Sequence, residues 1–199
     1  MRAPAAIGLR AHSGWAAAVA LASPPHPPAV ITRRRLTMVD PKAASAKQPY
    51  HAAVGLEIGE AGQIVAHSAA RAAALATIAL RGMIDDLSAL GHEVTGCGLL
   101  LAAGRPLPAL EGILASHALI HTAEGEHFRQ ALRAASRNCG LPLLAVKERE
   151  LFTRASADLE MPVRQIEQHA AAMGKAIGPP WRQDEKFAAV AAWLALRTR

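Results

Sequence analysis

The chain has 199 residues, of which 51% are hydrophobic, 19% are charged and 4% are aromatic, and its formal net charge is +6. This length suits one hydrophobic core and this apolar fraction excludes a disordered chain, so we expect a single domain over residues 1–199. The modest excess of Lys and Arg permits a polyanionic partner such as nucleic acid without requiring one.

Cysteine usage and hydropathy favour a cytoplasmic protein. Cys97 and Cys139 show neither CxxC nor Cys/His spacing, which predicts two reduced, structural thiols. No run of about 20 apolar residues is evident, so we expect no membrane partner. The segment WAAAVALA before Ser23 imitates a signal peptide, but its apolar run is short. We interpret residues 5–22 as a strand, with secretion as the alternative.

The N-terminal region predicts a hairpin. The proline-rich segment SPPHPP ends the first strand, and residues 29–40 predict a second one. Strand alternation places Arg33 and Arg35 on one face and Arg34 on the other. Adjacent arginines are typical of a protected edge strand, and they are also able to contact phosphates. Residues 41–62, which contain two prolines and three glycines, predict a loop that can hold a short third strand.

The middle of the chain alternates helices and strands. Residues 63–90 predict a helix that ends at Gly91, and residues 94–104 predict a buried strand. A second long helix is expected over 109–137 and another strand over 141–148. This alternation is typical of the α/β class with parallel strand pairing.

The C-terminal residues 152–199 predict a helical tail packed on the α/β domain, with helices near 162–175 and 183–197. The expected architecture is therefore a mixed sheet of about five strands with packed helices.

The predicted helix over 109–137 places polar residues in its apolar stripe. At about 100° per residue, one narrow stripe contains eight side chains. They are Leu110, Leu114, His117, His121, Glu124, Phe128, Leu132 and Ala135. Glu126 and His127 lie off this stripe. Three polar groups are thus expected to face the core.

Three interpretations of His117, His121 and Glu124 remain open, because a carboxylate in a core must be paired, hydrated or neutralised. The histidines have the i, i+4 spacing of zinc helices, so all three residues are candidate ligands of a divalent metal, with Glu124 as third ligand or base. They are equally candidate catalytic residues of a metal-free cleft. The third interpretation is a buried His–Glu hydrogen-bond network. His12 and His51 are candidate external ligands.

Motifs of two enzyme classes are missing. The sequence contains no Walker loop, no GxGxxG after a strand and no GxSxG elbow. Nucleotide-binding and serine-hydrolase functions therefore have no support.

Three segments resemble the ribonuclease H-like superfamily, and within it the Holliday-junction resolvase type. They are AIGLRAHSGWAAAVAL, EHFRQALRAASRNCGLPLLAVKERELF and DEKFAAVAAWLAL. The first is similar to the family's opening strand, the second to its later helix and strand, and the third to its closing helix. The resemblance implies a ribonuclease H-like sheet.

The acidic residues that the resemblance implies do not match. Nucleases of this family hold two Mg²⁺ ions with carboxylates. Arg10 falls at the first-strand aspartate, and Lys186, or Asp184 if the alignment shifts, falls at the closing-helix aspartate. The strand region 94–101 has no acid. Since a cation repels Mg²⁺, we expect a relative without the catalytic acids.

The leading functional hypothesis is a non-nuclease protein that binds nucleic acid or another phosphate-bearing partner. Its expected phosphate-binding residues are Arg10, Lys186, Arg33 and Arg35. One alternative is a hydrolase whose site lies on the 109–137 helix, with or without a divalent metal. Another is a structural or interaction protein, for which the alanine-rich helices allow a homo-oligomer.

Overall fold

The fold is built on a five-stranded mixed sheet, seen in a computed structural model that describes residues 2–43, 45–104 and 106–197. The strands are β1 (Ala3–His12), β2 (Trp15–Ala22), β3 (Ala29–Thr37), β4 (His92–Leu101) and β5 (Leu143–Lys147). Their order is β3-β2-β1-β4-β5. β1 pairs antiparallel with β2 and β2 with β3, whereas β4 pairs parallel with both β1 and β5. The expected α/β class and the strand number are confirmed.

The N-terminal region forms three strands, and the prediction of one strand over residues 5–22 was wrong. A two-residue turn at Ser13 and Gly14 separates β1 from β2, so that His12 lies opposite Trp15. Gly14 has φ 82°, a left-handed conformation that glycine adopts without steric cost. The arginine-bearing strand β3 lies at the sheet edge, as predicted.

The middle helices connect β3 to β4 and β4 to β5. They are α1 (Pro49–Ala52), α2 (Ile58–Ala89), α3 (Leu110–Leu114) and α4 (His117–Asn138). The chain leaves α2 through Gly91 at φ 84°, which confirms the predicted stop. The single helix predicted over 109–137 is broken between α3 and α4, where Ser116 has extended backbone. The predicted loop over 41–62 contains α1, and its described residues form no strand.

The C-terminal helices are α5 (Leu151–Asp158), α6 (Val163–Met173) and α7 (Gln183–Arg197). α7 lies directly on the sheet and supplies eight buried residues. It approaches so closely that a Cβ at Gly8 would lie 1.7 Å from the Ala188 carbonyl oxygen, and one at Gly98 would lie 2.2 Å from that of Ala191. The predicted helical tail is therefore an integral layer of the core.

Each face of the sheet has its own core. Ile7, Leu9 and Leu99 pack against α2 and α4 on one face, whereas Val19 and Leu100 pack against α7 on the other. Side chains that alternate along each strand separate the two layers.

Helix α2 is long. Among the described residues it is the one helix that is long and apolar enough to cross a membrane by length and composition, whereas the sequence predicted no such run. Its stripe of Ala72, Ala76, Leu80 and Met83 is buried against the sheet.

Candidate functional site

Arg10, near the carboxyl end of β1, is the centre of an ion-pair cluster. Its Nε and Nη2 donate to the two carboxylate oxygens of Glu148 at 3.1 and 2.7 Å, and its Nη1 donates to Asp184. Glu148 follows β5 and Asp184 lies in the first turn of α7. The Phe187 ring centroid lies 5.4 Å from the guanidinium carbon. Three elements thus bring two carboxylates onto one cation.

The electrostatics of this cluster favour the charged forms. Burial by itself lowers the pKa of Arg10, but the hydrogen bonds and charges of Glu148 and Asp184 outweigh burial and raise it. The guanidinium therefore stays charged and neutralises part of the charge of both acids. We name this arrangement of Arg10, Glu148 and Asp184 the arginine cluster.

Aromatic and cationic side chains extend the arginine cluster toward the sheet edge. His12 Nε2 lies 3.1 Å from Asp184 Oδ1, within ion-pair distance but without hydrogen-bond geometry. Its ring stacks on Trp15 at a centroid distance of 4.3 Å. The Arg35 guanidinium carbon lies 4.0 Å from the Trp15 ring centroid, a cation–π contact. His12 therefore belongs to this region and not to the predicted metal cluster on α4.

A cleft of about 480 Å³ opens beside the arginine cluster at the carboxyl ends of the central strands. Its polar lining consists of Arg10, Arg129, Arg149 and Glu148. Arg129 and Arg149 make longer pairs, both at 3.4 Å, with Glu126 and Glu150. Three guanidinium groups around one cleft suit an anion better than a metal cation.

The other predicted phosphate-binding residues lie in different settings. Arg33 donates to the carbonyl oxygens of Gly178 and Pro179 at 2.6 and 2.7 Å, so it ties β3 to the loop before α7. At the closing helix, Asp184 is the residue that reaches Arg10, and Lys186 is half-buried two residues further on. Phosphate binding by Arg33, Arg35 and Lys186 stays a prediction.

A second polar cluster lies where α1 meets the start of α4. One ring nitrogen from each of His51, His117 and His121 lies within 4.8 Å of the other two. The Nε2 atoms of His117 and His121 are 3.0 Å apart, and the His51 ring centroid is 4.9 Å from that of His121. We name these three residues the histidine cluster. His117 and His121 are exposed and His51 is half-buried.

The buried carboxylate of Glu124 contacts the histidine cluster through His51. Its side chain is almost fully buried, with 3% of the residue exposed. Its Oε1 lies 2.9 Å from His51 Nδ1 and accepts from the His51 backbone N–H at 3.2 Å. The partner of Glu124 is thus His51 of α1 rather than His121 of its own helix.

The buried ring of His127 lies one helical turn beyond Glu124. His127 is 6% exposed, and its Nε2 lies 3.3 Å from Ser68 Oγ of α2. Burial lowers its pKa, and the charge of Glu124 opposes this effect. Burial also raises the pKa of neighbouring Tyr50, with Glu124 adding to the rise.

The inward stripe predicted on this helix is partly wrong. Glu124 and Phe128 are buried as expected, but His117 and His121 are exposed, whereas His127 is buried. The break at Ser116 separates Leu110 and Leu114 from this helix, and the exposed histidines lie in the first turns of α4, beside His51 of α1. His51 was named only as a candidate external ligand.

Another cavity, of about 630 Å³, lies elsewhere, between α2 and the segment that follows β3. Its walls include Met38, Asp40, Ile64 and Arg71. Neither Arg10 nor His51 lines it, so this cavity is separate from the two polar clusters.

Comparisons with known proteins identify the fold. No protein-family model matches the chain, and no curated protein matches it. Among solved structures, Thermus thermophilus RuvC in complex with a Holliday junction substrate is similar, with a TM-score of 0.53 at 10% identity over 96% of this chain and 90% of that one. Another Thermus thermophilus RuvC structure gives a TM-score of 0.49 at 10% identity, over 96% and 92% of the two chains. The first comparison shows that the chain has the ribonuclease H-like fold.

Proposed function

We propose that this protein binds nucleic acid through the cleft beside the arginine cluster, contacts phosphates with arginine, and lacks the two-metal nuclease chemistry of its fold family. The observation that carries the proposal is that Arg10, Arg129 and Arg149 line one cleft, where Arg10 already holds the carboxylates of Glu148 and Asp184. One similar structure, RuvC, is bound to a Holliday junction, and this supports a nucleic-acid partner.

The acids in this cluster do not fit a pair of magnesium ions. Mg²⁺ needs carboxylate oxygens that are free to coordinate, in near-octahedral geometry. Both carboxylate oxygens of Glu148 accept hydrogen bonds from the Arg10 guanidinium, and Asp184 accepts from the same group. A metal ion there would displace or repel a cation whose pKa is already raised. We therefore infer no hydrolysis at this position.

The same cleft has the side chains that recognise a phosphate. Arg149 has an exposed side chain and Arg129 lies deeper, and their pairs with Glu150 and Glu126 are long. A strand of nucleic acid can exchange these weak pairs for bidentate phosphate contacts, which release counterions. Such contacts give affinity without sequence information, so the expected binding is sensitive to salt and tolerant of sequence.

Fluorescence anisotropy with a four-way junction, a duplex and a single strand tests the binding. We expect affinity that falls steeply between about 50 and about 200 mM salt, with a log–log slope that decreases by about 1 for each of Arg129→Gln and Arg149→Gln. Arg164→Gln, at an exposed position of α6, is the matched control and should leave the slope unchanged. Absence of binding to every probe at about 50 mM salt would contradict the proposal.

A cleavage assay tests the second half of the proposal separately. The junction and the duplex are incubated with Mg²⁺ or Mn²⁺ and the products are separated on denaturing gels. We expect intact strands. Cleavage by the parent chain that is lost in Glu148→Gln and Asp184→Asn would show that these acids work as a nuclease site after all.

A further inference from the structure

The histidine cluster has the donor set of a transition-metal site, and this inference does not rest on the nucleic-acid proposal. We propose that His51, His117 and His121 bind one divalent transition-metal ion of the zinc class, with Glu124 as the positioning residue for His51. Three ring nitrogens, one from each residue, already lie within 4.8 Å of one another. Ligands at zinc–nitrogen distances of about 2.0 Å in a tetrahedral site are roughly 3.4 Å apart, so small side-chain rotations complete the geometry.

The hydrogen bond to Glu124 determines which His51 nitrogen is available. Because Nδ1 lies 2.9 Å from a carboxylate oxygen, it carries the proton and donates. The lone pair is then on Nε2, which is the nitrogen left to bind a metal. Histidine ligands usually donate their other N–H to a carboxylate or carbonyl, which fixes the tautomer and the ring orientation. Glu124 also holds the His51 backbone N–H at 3.2 Å, so His51 is fixed at two points.

The two histidines of α4 complete the donor set on one side. His117 and His121 are separated by four residues, so their rings project from the same helix face. Their Nε2 atoms approach to 3.0 Å. If both rings are neutral, one of the two nitrogens donates a proton to the other. A metal ion between the rings would instead be bound by the lone pairs of both nitrogens. The geometry suits a shared ion.

The ligand type selects the metal class. Three neutral imidazoles suit Zn²⁺, Cu²⁺, Ni²⁺ or Co²⁺, whereas Mg²⁺ and Ca²⁺ prefer oxygen ligands. His117 and His121 are exposed, so a fourth coordination position would face solvent. Three histidines with one solvent position form the arrangement of an open zinc site. The bound ion would also link α1 to α4.

Titration of protein purified without a histidine tag and stripped with EDTA tests the site. Isothermal calorimetry with ZnCl₂ and the visible absorption of added Co²⁺ measure stoichiometry, affinity and tetrahedral geometry. We expect one ion per chain and no binding of MgCl₂. His117→Ala and His121→Ala should each lose more affinity than the roughly 10- to 100-fold expected when a residue that orients a ligand is removed. Both side chains are exposed, so these variants are expected to fold.

Two further variants separate binding at this cluster from other effects. His67→Ala, an exposed histidine on α2, is the control and should bind like the parent. Glu124→Gln should retain one ion per chain with about 10- to 100-fold weaker zinc binding. Imidazole ¹⁵N NMR should show a smaller population of the Nδ1–H tautomer of His51 in that variant. Less than half an ion per chain, or equal affinities for His121→Ala and His67→Ala, would overturn the proposal.

Discussion

The arginine cluster and the histidine cluster are both polar groups at element ends, but they differ in how their charges are satisfied. In the arginine cluster, the chain supplies its own cation, and Glu148 and Asp184 are hydrogen-bonded to it. In the histidine cluster, the one buried acid, Glu124, contacts a single ring, and the ring nitrogens of the three histidines converge on each other. Glu124 is buried, whereas Asp184 and Glu148 are partly exposed.

The difference indicates where an external ligand of each sign can bind. Carboxylates that already hold a guanidinium have little affinity left for a metal ion, but the surrounding arginines can exchange partners for phosphate. Imidazole lone pairs that have no resident cation retain their affinity for a metal. The histidine cluster therefore suits a metal ion better than the arginine cluster does.

The largest expected effect comes from Gly98→Ala, which displaces the helix that carries Asp184 of the arginine cluster. The added Cβ would lie 2.2 Å from the Ala191 carbonyl oxygen, so α7, which carries Asp184, must move. We expect a loss of about 3 kcal/mol or more in unfolding free energy, measured by urea denaturation. Gly96→Ala is the matched control on the same strand, because a Cβ added there would lie 3.4 Å from the Pro142 carbonyl oxygen, an ordinary contact distance. Equal losses in both variants would contradict the close approach of α7.

The next effect concerns Arg10 itself. Arg10→Ala leaves Glu148 and Asp184 without their shared cation, and we expect a loss of about 2 kcal/mol, since the pairs are only partly buried. Arg10→Asp should lose more, and MgCl₂ should raise its melting temperature while leaving the parent unchanged. Arg34→Ala, which breaks a pair with Asp86 at the exposed sheet edge, should cost less than about 1 kcal/mol. A parent chain that Mg²⁺ stabilises equally would remove the contrast between the two clusters.

The fold could be predicted from the sequence because its strong local signals agree with the tertiary structure. Gly91 marks the end of α2, and the apolar run over 94–104 overlaps most of β4. The errors fall where alanine dominates, since alanine fits a strand, a helix or a buried turn flank equally well. The Ser13–Gly14 turn directly precedes the alanine-rich strand β2, and the break at Ser116 lies inside a stretch that is compatible with a helix.

The candidate sites could be predicted only where their residues are local in sequence. His117, His121 and Glu124 share one helix, so the helical periodicity of the sequence identified them as a group. Arg10 contacts acids 138 and 174 residues away, and His51 lies 73 residues from Glu124. No helical or strand period relates such distant positions, so the partners required the tertiary structure. The buried ring of His127 was missed because the predicted stripe was narrower than the face of α4 that is buried.

A double-mutant cycle between His51 and Glu124 measures how strongly the buried acid of the histidine cluster is coupled to its ring, and the expected effect is smaller. In EDTA, His51→Ala, Glu124→Ala and the double variant should give a coupling energy of about 1 to 2 kcal/mol, because the pair includes a buried carboxylate. The same cycle between His117 and Glu124 should give a coupling near zero, since His117 contacts the other rings. Equal couplings would show that Glu124 acts on the whole cluster rather than through His51.

The smallest expected effect is a pH dependence from His127, whose neighbours Tyr50, Ser68 and Glu124 come from three elements around its ring. Burial lowers its pKa below the ordinary value of 6.5, with the charge of Glu124 opposing the shift. Below about pH 6.5 the unfolded chain therefore binds a proton that the folded chain does not, so the unfolding free energy falls as the pH falls toward the folded pKa. His127→Gln should reduce this loss, measured by urea denaturation in EDTA at about pH 7.5 and about pH 5.5. His67→Gln should lose as much stability as the parent between these conditions, and an equal loss in His127→Gln would show that the ring is not held neutral by its surroundings.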